Sequence, residues 1–381
     1  MTSMRVIEGS GGQSPTDRLH ALLRAVNEAG ASDLHLSAGQ APLIRLHGEL
    51  IPVREDPAPF EPNALEIALM AILDPRRQSE FAAKGEVDLA YATAEGLRFR
   101  VNVYRQSDQL AGAFRLIPTH LPGLSALGVP AIAEQLALAP SGLVLVTGPA
   151  GSGKSTTLAA MIDVINRRRS SHVVTVEDPI EYRHRSASSL IHQREIGADS
   201  TSFASALRSV LRQDPDVVMI GELRDQESMS MALTAAETGH LVLATLHTHG
   251  AAKSIDRMID SMAPSQQNQV RTQISETLRG VISQRLLPRL NRPGRVLASE
   301  ALIRTPAVGN LIRERQVHQL STVMQTSSDL GMHTFDQSLA RLVAEGMVSV
   351  EVATEYLDDP GALAGVRPPR FEDQGFGEER S

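Results

Sequence analysis

Three spacings of apolar residues follow one another along this chain. In DRLHALLRAVNEAG, Leu19, Leu22, Leu23 and Val26 recur at helical intervals, and Gly30 supplies a stop. In SDLHLSAGQAPLIRLHGELIPV the interval drops to two: Leu34 and Leu36 alternate with polar residues, as do Ile44 and Leu46, and His47-Gly48 reads as a tight turn. Residues 61–83 return to helical spacing. LRFRVNVYRQ then places Leu97, Phe99, Val101 and Val103 on one face, and AGAFRLIP follows as another strand. Residues 17–117 are therefore expected to form a small α+β domain behind a Gly- and Ser-rich, mobile segment, 1–16.

The third spacing is a continuous run. GLVLVTG, HVVTVEDP, DVVMIGE and HLVLATLHT are short, rich in β-branched residues and nearly unbroken, as strands buried on both faces must be. Helical segments separate them, so the fold class is α/β with a largely parallel sheet. PTHLPGLSALGVP, residues 118–130, holds three Pro and two Gly and is the expected linker or hinge. Residues 131–358 form the second domain, with 265–290 and 306–356 expected to be mostly helical. The polar tail 359–381 is expected to be disordered.

Composition narrows the functional classes. Aromatic residues make up 3% and Trp is absent, so the cores must rest on Leu, Ile, Val, Met and Ala. A net charge of -7 argues against a general nucleic-acid binder, and no nucleic acid is expected as a partner. With no Cys there is no disulfide, thiolate zinc site or Cys nucleophile. No apolar run reaches the roughly 18 residues of a membrane span, and MTSMRVIEGSGGQSP lacks a signal-peptide core. The expectation is a cytoplasmic protein that meets a membrane only through a partner.

One motif carries specific chemistry. Gly148, Pro149, Ala150, Gly151, Ser152, Gly153, Lys154, Ser155 and Thr156 contain G-x-x-x-x-G-K-[ST], between the strand GLVLVTG and the helix STTLAAMIDVI. The glycines let backbone N–H groups wrap phosphates, and the helix N-terminus adds positive potential. Lys154 is expected to reach the β- and γ-phosphates of ATP, and the Ser155 hydroxyl to ligate Mg²⁺. Glu222 ends DVVMIGE, with Gly221 where many ATPases carry Asp. It could hold Mg²⁺ through water or simply pair with Arg224. VEDPIEY offers Glu177, Asp178 and Glu181 at a strand exit, where a carboxylate can polarise an attacking water. His240 and His247 flank HLVLATLH. Seven residues apart, they belong at opposite ends of one strand, and no third ligand with metal-site spacing accompanies them.

SDLHLSAG (32–39), FRVNVY (99–104), GPAGSGKSTTLAAM (148–161), VEDPIEY (176–182), HQREIG (192–197), ALRSVLRQDPDVVMIGELRD (206–225) and TAAETGHLVLATLHT (234–248) stand in the order found in the PilT-like type IV pilus retraction ATPases. The chain resembles that family, within the secretion ATPase superfamily, from about residue 17 to 358. The resemblance implies a homohexameric ring of subunits, each with a PAS-like N-terminal domain and a RecA-like P-loop ATPase domain with a helical C-terminal part. It implies that Glu181 is the catalytic glutamate, that Glu222 is the family's atypical second acidic residue, and that His240 and His247 form its histidine box. It also implies that Arg100 and Arg115 reach the phosphates when the domains close. The implied partners are an inner-membrane platform protein of the pilus machine and a paralogous retraction ATPase.

Two departures bear on the paralogue. AVGNLIRE (307–314) has Gly309 where the family motif AIRNLIRE carries Arg, and GMHTFDQSLARLVAEGMVSVEVA with its tail is similar to the accessory, PilU-like members. A pilus-assembly or type II secretion ATPase would bring a longer N-terminal region and a four-cysteine zinc insert. A hexameric nucleic-acid motor would need stacking aromatics and a basic groove. An accessory subunit acting with another motor stays open.

Overall fold

The computed structural model describes residues 14–46, 48–117, 121–290 and 292–366. The chain divides into two compact units, residues 1–120 and 121–381.

In the first unit, α1 (Pro15–Glu28) opens with Ser14 accepting from the Asp17 N–H and Pro15 in the first turn. The helix thus begins inside the segment expected to be mobile; residues 1–13 lie outside those described. The strands β1 (Asp33–Ser37), β2 (Leu43–Leu46), β3 (Glu49–Pro52), β4 (Glu86–Ala92), β5 (Arg98–Gln106) and β6 (Gln109–Ile117) form an antiparallel sheet ordered β3-β2-β1-β6-β5-β4. At the β2–β3 turn Gly48 has φ 94°; His47 lies outside the described residues. The helical stretch expected at 61–83 is two helices, α2 (Pro62–Ala71) and α3 (Pro75–Lys84), because Asp74 caps a new start and Pro75 cannot continue the old helix. Strand β4 was not anticipated, since EVDLAYA alternates only briefly. Phe99, Val101, Val103, Phe114 and Leu34 pack with Leu19, Leu22, Leu65 and Leu69 in one core.

The second unit is built on a seven-stranded sheet. Its strands are β7 (Gly142–Thr147), β8 (His172–Glu177), β9 (Leu190–Glu195), β10 (Val217–Ile220), β11 (Leu241–Leu246), β12 (Leu278–Pro288) and β13 (Arg295–Ile303). The order is β13-β12-β7-β11-β10-β8-β9, parallel throughout except for β13. Alternate residues of each central strand feed two cores. Leu143, Leu145, Val218 and Val242 pack under α6 (Phe203–Val210), α7 (Gln226–Glu237), α8 (Ala251–Asp260), α9 (Gln267–Thr277) and α10 (Pro306–Arg313). Val144, Val146, Val217 and Leu243 pack under α4 (Ile132–Ala137) and α5 (Lys154–Arg168). Both faces are covered, so these strands read as unbroken apolar runs.

Three expectations are corrected here. Residues 278–288 are a strand, not part of a helix: α9 ends at Thr277 and β12 begins at the next residue with no Gly or Pro between, so the spacing carries no break. Gly280 marks the change, since a Cβ there would lie 2.9 Å from Leu136 side-chain atoms and from the Leu302 carbonyl. The expected linker is not free along its length. Residues 118–120 lie outside those described, but Leu121, Leu124 and Val129 pack into the second unit's core. Order also extends past 358: Pro360–Leu363 form a 3-10 turn, and Leu363 and Val366 pack beside the helix Phe335–Ala344. Residues 367–381 lie outside the described residues.

Candidate active site

The C-terminal ends of β7, β8, β10 and β11 converge on one edge of the parallel sheet. The chain leaves β7 for β8, three positions away, while β12 lies on the other side of β7. That is a topological switch point, where open α/β sheets bind ligands.

The loop after β7 is shaped by glycine. Gly148, Gly151 and Gly153 have φ of 142°, 73° and 88°, a region that side chains disfavour. A Cβ on Gly148 would also lie 2.2 Å from the Gln284 carbonyl oxygen. No side chain caps the N-terminus of α5, and the buried Ser152 Oγ has no protein hydrogen-bond partner. An uncapped helix start and an unsatisfied hydroxyl in a glycine cradle fit a phosphate group. Lys154 is buried and donates to the carbonyls of Gly148 (2.9 Å) and Pro149 (2.8 Å), within the loop it is expected to help load. Burial pulls its pKa down, against the opposing pull of Glu222 and Glu181.

Glu222 follows β10 and pairs with Arg224 (2.7 Å) and with His247 Nε2 (3.2 Å), while His247 Nδ1 lies 3.5 Å from Lys154 Nζ. Burial opposes ionisation of Glu222, but Arg224 and His247 outweigh it and hold the carboxyl below its ordinary value. Gly221 has a local reason: its N–H donates to the Val176 carbonyl, and a Cβ would stand 3.2 Å from that oxygen. An Asp at this position would crowd β8.

The two candidate glutamates after β8 separate clearly. Glu177 is buried and accepts from the Thr175 hydroxyl (2.6 Å), from Gln193 Nε2 (3.1 Å) and from the Glu181 N–H. Burial raises its pKa despite these bonds. Glu181 is exposed. A saturated, buried carboxylate suits support, and an exposed one can meet water.

The histidines also separate. His247 joins Glu222 and Lys154. His240 sits before β11, where its Nδ1 contacts the Ala235 carbonyl (3.0 Å) and Thr238 Oγ1 (3.1 Å) at the end of α7. The length of β11 keeps it roughly 20 Å from the P-loop end. Within this chain His240 therefore stands apart from the Lys154–His247–Glu222 cluster, at the terminus of α7.

Arg100 and Arg115 belong to the first unit. They are direct cross-strand partners on β5 and β6, and Arg115 in turn faces Asp33 on β1, which faces Arg45 on β2. The face opposite the core thus carries a row of three arginines around one carboxylate. Arg115 pairs with Asp33 at 2.8 Å. Like charges directly opposite one another destabilise a sheet, so this row suits an anion better than stability.

Gly309, the departure in AVGNLIRE, lies buried in α10 against α9. A Cβ there would meet the Ser275 carbonyl at 3.1 Å and Arg304 at 3.5 Å. Arg304 donates to that same carbonyl (3.2 Å) and Arg313 to the Ser275 hydroxyl (3.3 Å), so two other arginines already occupy this place.

Comparison with known proteins gives the family. Residues 119–354 match the family model described as Type II/IV secretion system protein. The chain is 45% identical to the type IV pilus retraction ATPase PilT of Pseudomonas aeruginosa, over 89% of this chain and 98% of that protein. It is 38% identical to the type IV pilus ATPase PilU of the same organism, over 90% and 89%. A crystal structure of the pilus retraction motor PilT with bound ADP superposes with a TM-score of 0.84 at 42% identity, covering 89% of this chain and 96% of that one.

Proposed function

The chain belongs to the Type II/IV secretion system protein family and within it to the PilT-like pilus retraction ATPases, and on that premise we propose that it is the principal retraction motor of a type IV pilus machine. ATP hydrolysis by a homohexameric ring would be spent on pilus disassembly and twitching motility. The observation that carries the reading is the convergence of Lys154, His247 and Glu222 beside an uncapped, glycine-built phosphate loop. The higher identity to PilT than to PilU, 45% against 38%, favours the principal over the accessory role.

In this reading Gly148 to Thr156 cradle the phosphates with backbone N–H groups, and Lys154 turns from its loop carbonyls to the β- and γ-phosphates. Ser155 and Glu222 would hold Mg²⁺, Glu222 partly through water; when bound, the ion neutralises charge on the phosphates. Glu181 orients the attacking water. Glu222, released from Arg224 or held by it, passes the state of the site to His247 and so to the segment leading into α8. Arg100 and Arg115 supply positive charge from the first unit. The ring works from the cytoplasm against an inner-membrane platform protein, alone or beside a paralogous retraction ATPase.

The test has two parts. The purified protein should hydrolyse ATP in the presence of Mg²⁺, and a deletion strain should carry excess pili and fail to twitch. A strain without pili would instead mark an assembly motor, and normal motility an accessory one.

A further inference from the structure

HQREIG has no part in the scheme so far, although it forms the edge strand β9 and the turn after it. Its side chains reach back to the loop that bears Glu181. Gln193 Nε2 donates to the Tyr182 carbonyl (2.8 Å) and to Glu177 Oε1 (3.1 Å), while its Oε1 accepts from the His184 N–H (2.8 Å). Glu195 Oε2 accepts from the Ile180 N–H (3.1 Å). Glu177 accepts from the N–H of Glu181 itself. The backbone is thus held at 180, 181, 182 and 184, on both sides of the exposed Glu181 side chain. Tyr182 adds a link to the P-loop helix, its hydroxyl 3.2 Å from Thr156 Oγ1.

We propose that Gln193, Glu195 and Glu177 are positioning residues that fix Glu181 relative to the phosphate loop. This rests on the reading of Glu181 as the water-orienting group. Residues 178–189 contain no helix or strand, so no regular backbone bonding sets where Glu181 lies. A carboxylate must stand within hydrogen-bond reach of the water it orients, and a displacement of about 1 Å can cost about a hundredfold in rate. Residues 193 and 195, two apart on one strand, share a face, which lets a single edge strand grip the loop on either side of position 181. Glu177, the last residue of β8, is buried and bonded to Thr175 and Gln193, so it holds the loop instead of meeting water.

The experiment is a set of variants of the full chain, measured for ATP turnover and, separately, nucleotide affinity. Gln193→Met keeps the volume and removes the three hydrogen bonds; it should lower kcat about 10- to 100-fold and leave ATP affinity within about twofold. Glu195→Leu should lower kcat, while Glu195→Gln, which keeps an oxygen for the Ile180 N–H, should stay near the parent. Combined with Glu181→Gln, Gln193→Met should add no further loss, because the group it positions is already gone. Parental turnover in Gln193→Met and Glu195→Leu, with Glu181→Gln slow, overturns the positioning role and leaves Glu181 standing. Losses that multiply with that of Glu181→Gln, or that weaken ATP binding equally, also overturn it and mark a general structural part. Parental turnover in Glu181→Gln itself removes the catalytic reading, and the positioning role falls with it.

Discussion

The two sheets of this protein place their chemistry differently. In the second unit helices cover both faces of a parallel sheet, so its central strands are mostly apolar and the nucleotide chemistry stands at their ends. The phosphate loop follows β7, Glu177 and Glu181 follow or end β8, Glu222 follows β10, and His247 follows β11. In the first unit only one face of an antiparallel sheet is packed on α1 and α2, and Arg45, Asp33, Arg115 and Arg100 lie in a row across the other. A doubly covered sheet forces function to the strand ends, where short motifs can mark it. A half-open sheet allows function at any outward position, where a working arginine and a solvated one look alike.

The largest effect should come from the strand-end chemistry. Lys154→Ala is expected to lower ATP turnover about a hundredfold or more while the protein folds and assembles as the parent does. Lys154 is the buried cation of the loop, and loss of a group that stabilises transferring phosphate is costly. Turnover above about a tenth of the parent in a correctly assembled protein would mean that strand-end placement does not carry the chemistry. Next comes Glu181→Gln, which should retain nucleotide binding and slow turnover about a hundredfold. The matched control is Glu177→Gln. Its amide would set an N–H₂ among three donors, disturbing the loop, so it too should slow turnover, with a loss of thermal stability that Glu181→Gln does not show.

The difference between the sheets also explains what could be read from sequence. β7, β8, β10 and β11 were visible because burial on both faces demands unbroken apolar runs, and the phosphate loop because its glycines serve one backbone path. β12 was hidden by its direct junction with α9, where no turn residue separates one period from the next. β9 was missed because Leu190, His192 and Arg194 are outward-leaning residues of an edge strand, with little apolar pattern. The choice between Glu177 and Glu181 needed three dimensions, since both stand in VEDPIEY and only burial distinguishes them. His240 and His247 already read as opposite ends of one strand, and the direction of β11 assigns His247 to the site. Arg100 and Arg115 came from family resemblance alone, as their open sheet face implies.

A smaller effect is expected in the first unit. Arg115→Ala should lower turnover about tenfold and nucleotide affinity less, as expected of a guanidinium that acts on the transition state more than on binding. Cells carrying it should be hyperpiliated and poorly motile. Arg100→Ala should act in the same direction. Normal turnover with normal motility would return both to the class of solvated strand arginines and sharpen the contrast between the two sheets into one between catalysis and scaffold.

The smallest effect concerns the two carboxylates that each unit pairs with a guanidinium. Burial opposes ionisation of Asp33, but bonds from Ser32 and Arg115 and the charge of Arg115 outweigh it, so its pKa is depressed. Burial likewise opposes Glu222, and Arg224 with His247 outweighs it. A depressed carboxylate binds its proton less readily folded than unfolded. Its contribution is therefore present above the unfolded value, near 4 for Asp and Glu, and is lost as pH falls through the lower folded value. Asp33→Asn and Glu222→Gln should each flatten the acid limb of the stability curve below about pH 4. Each should cost about 1 kcal/mol or less near neutrality, because both partner arginines are largely exposed and solvent screens the pairs. The two variants should part company when nucleotide and Mg²⁺ are added. Ligand stabilises only the state that binds it, and Glu222 is a proposed ligand of the ion, so Glu222→Gln should lose part of the ligand-induced rise in Tm. Asp33→Asn leaves the strand-end site intact and should keep the full rise. Equal losses in both would mean that the open face of the first unit contributes to the bound state as much as the strand ends of the second.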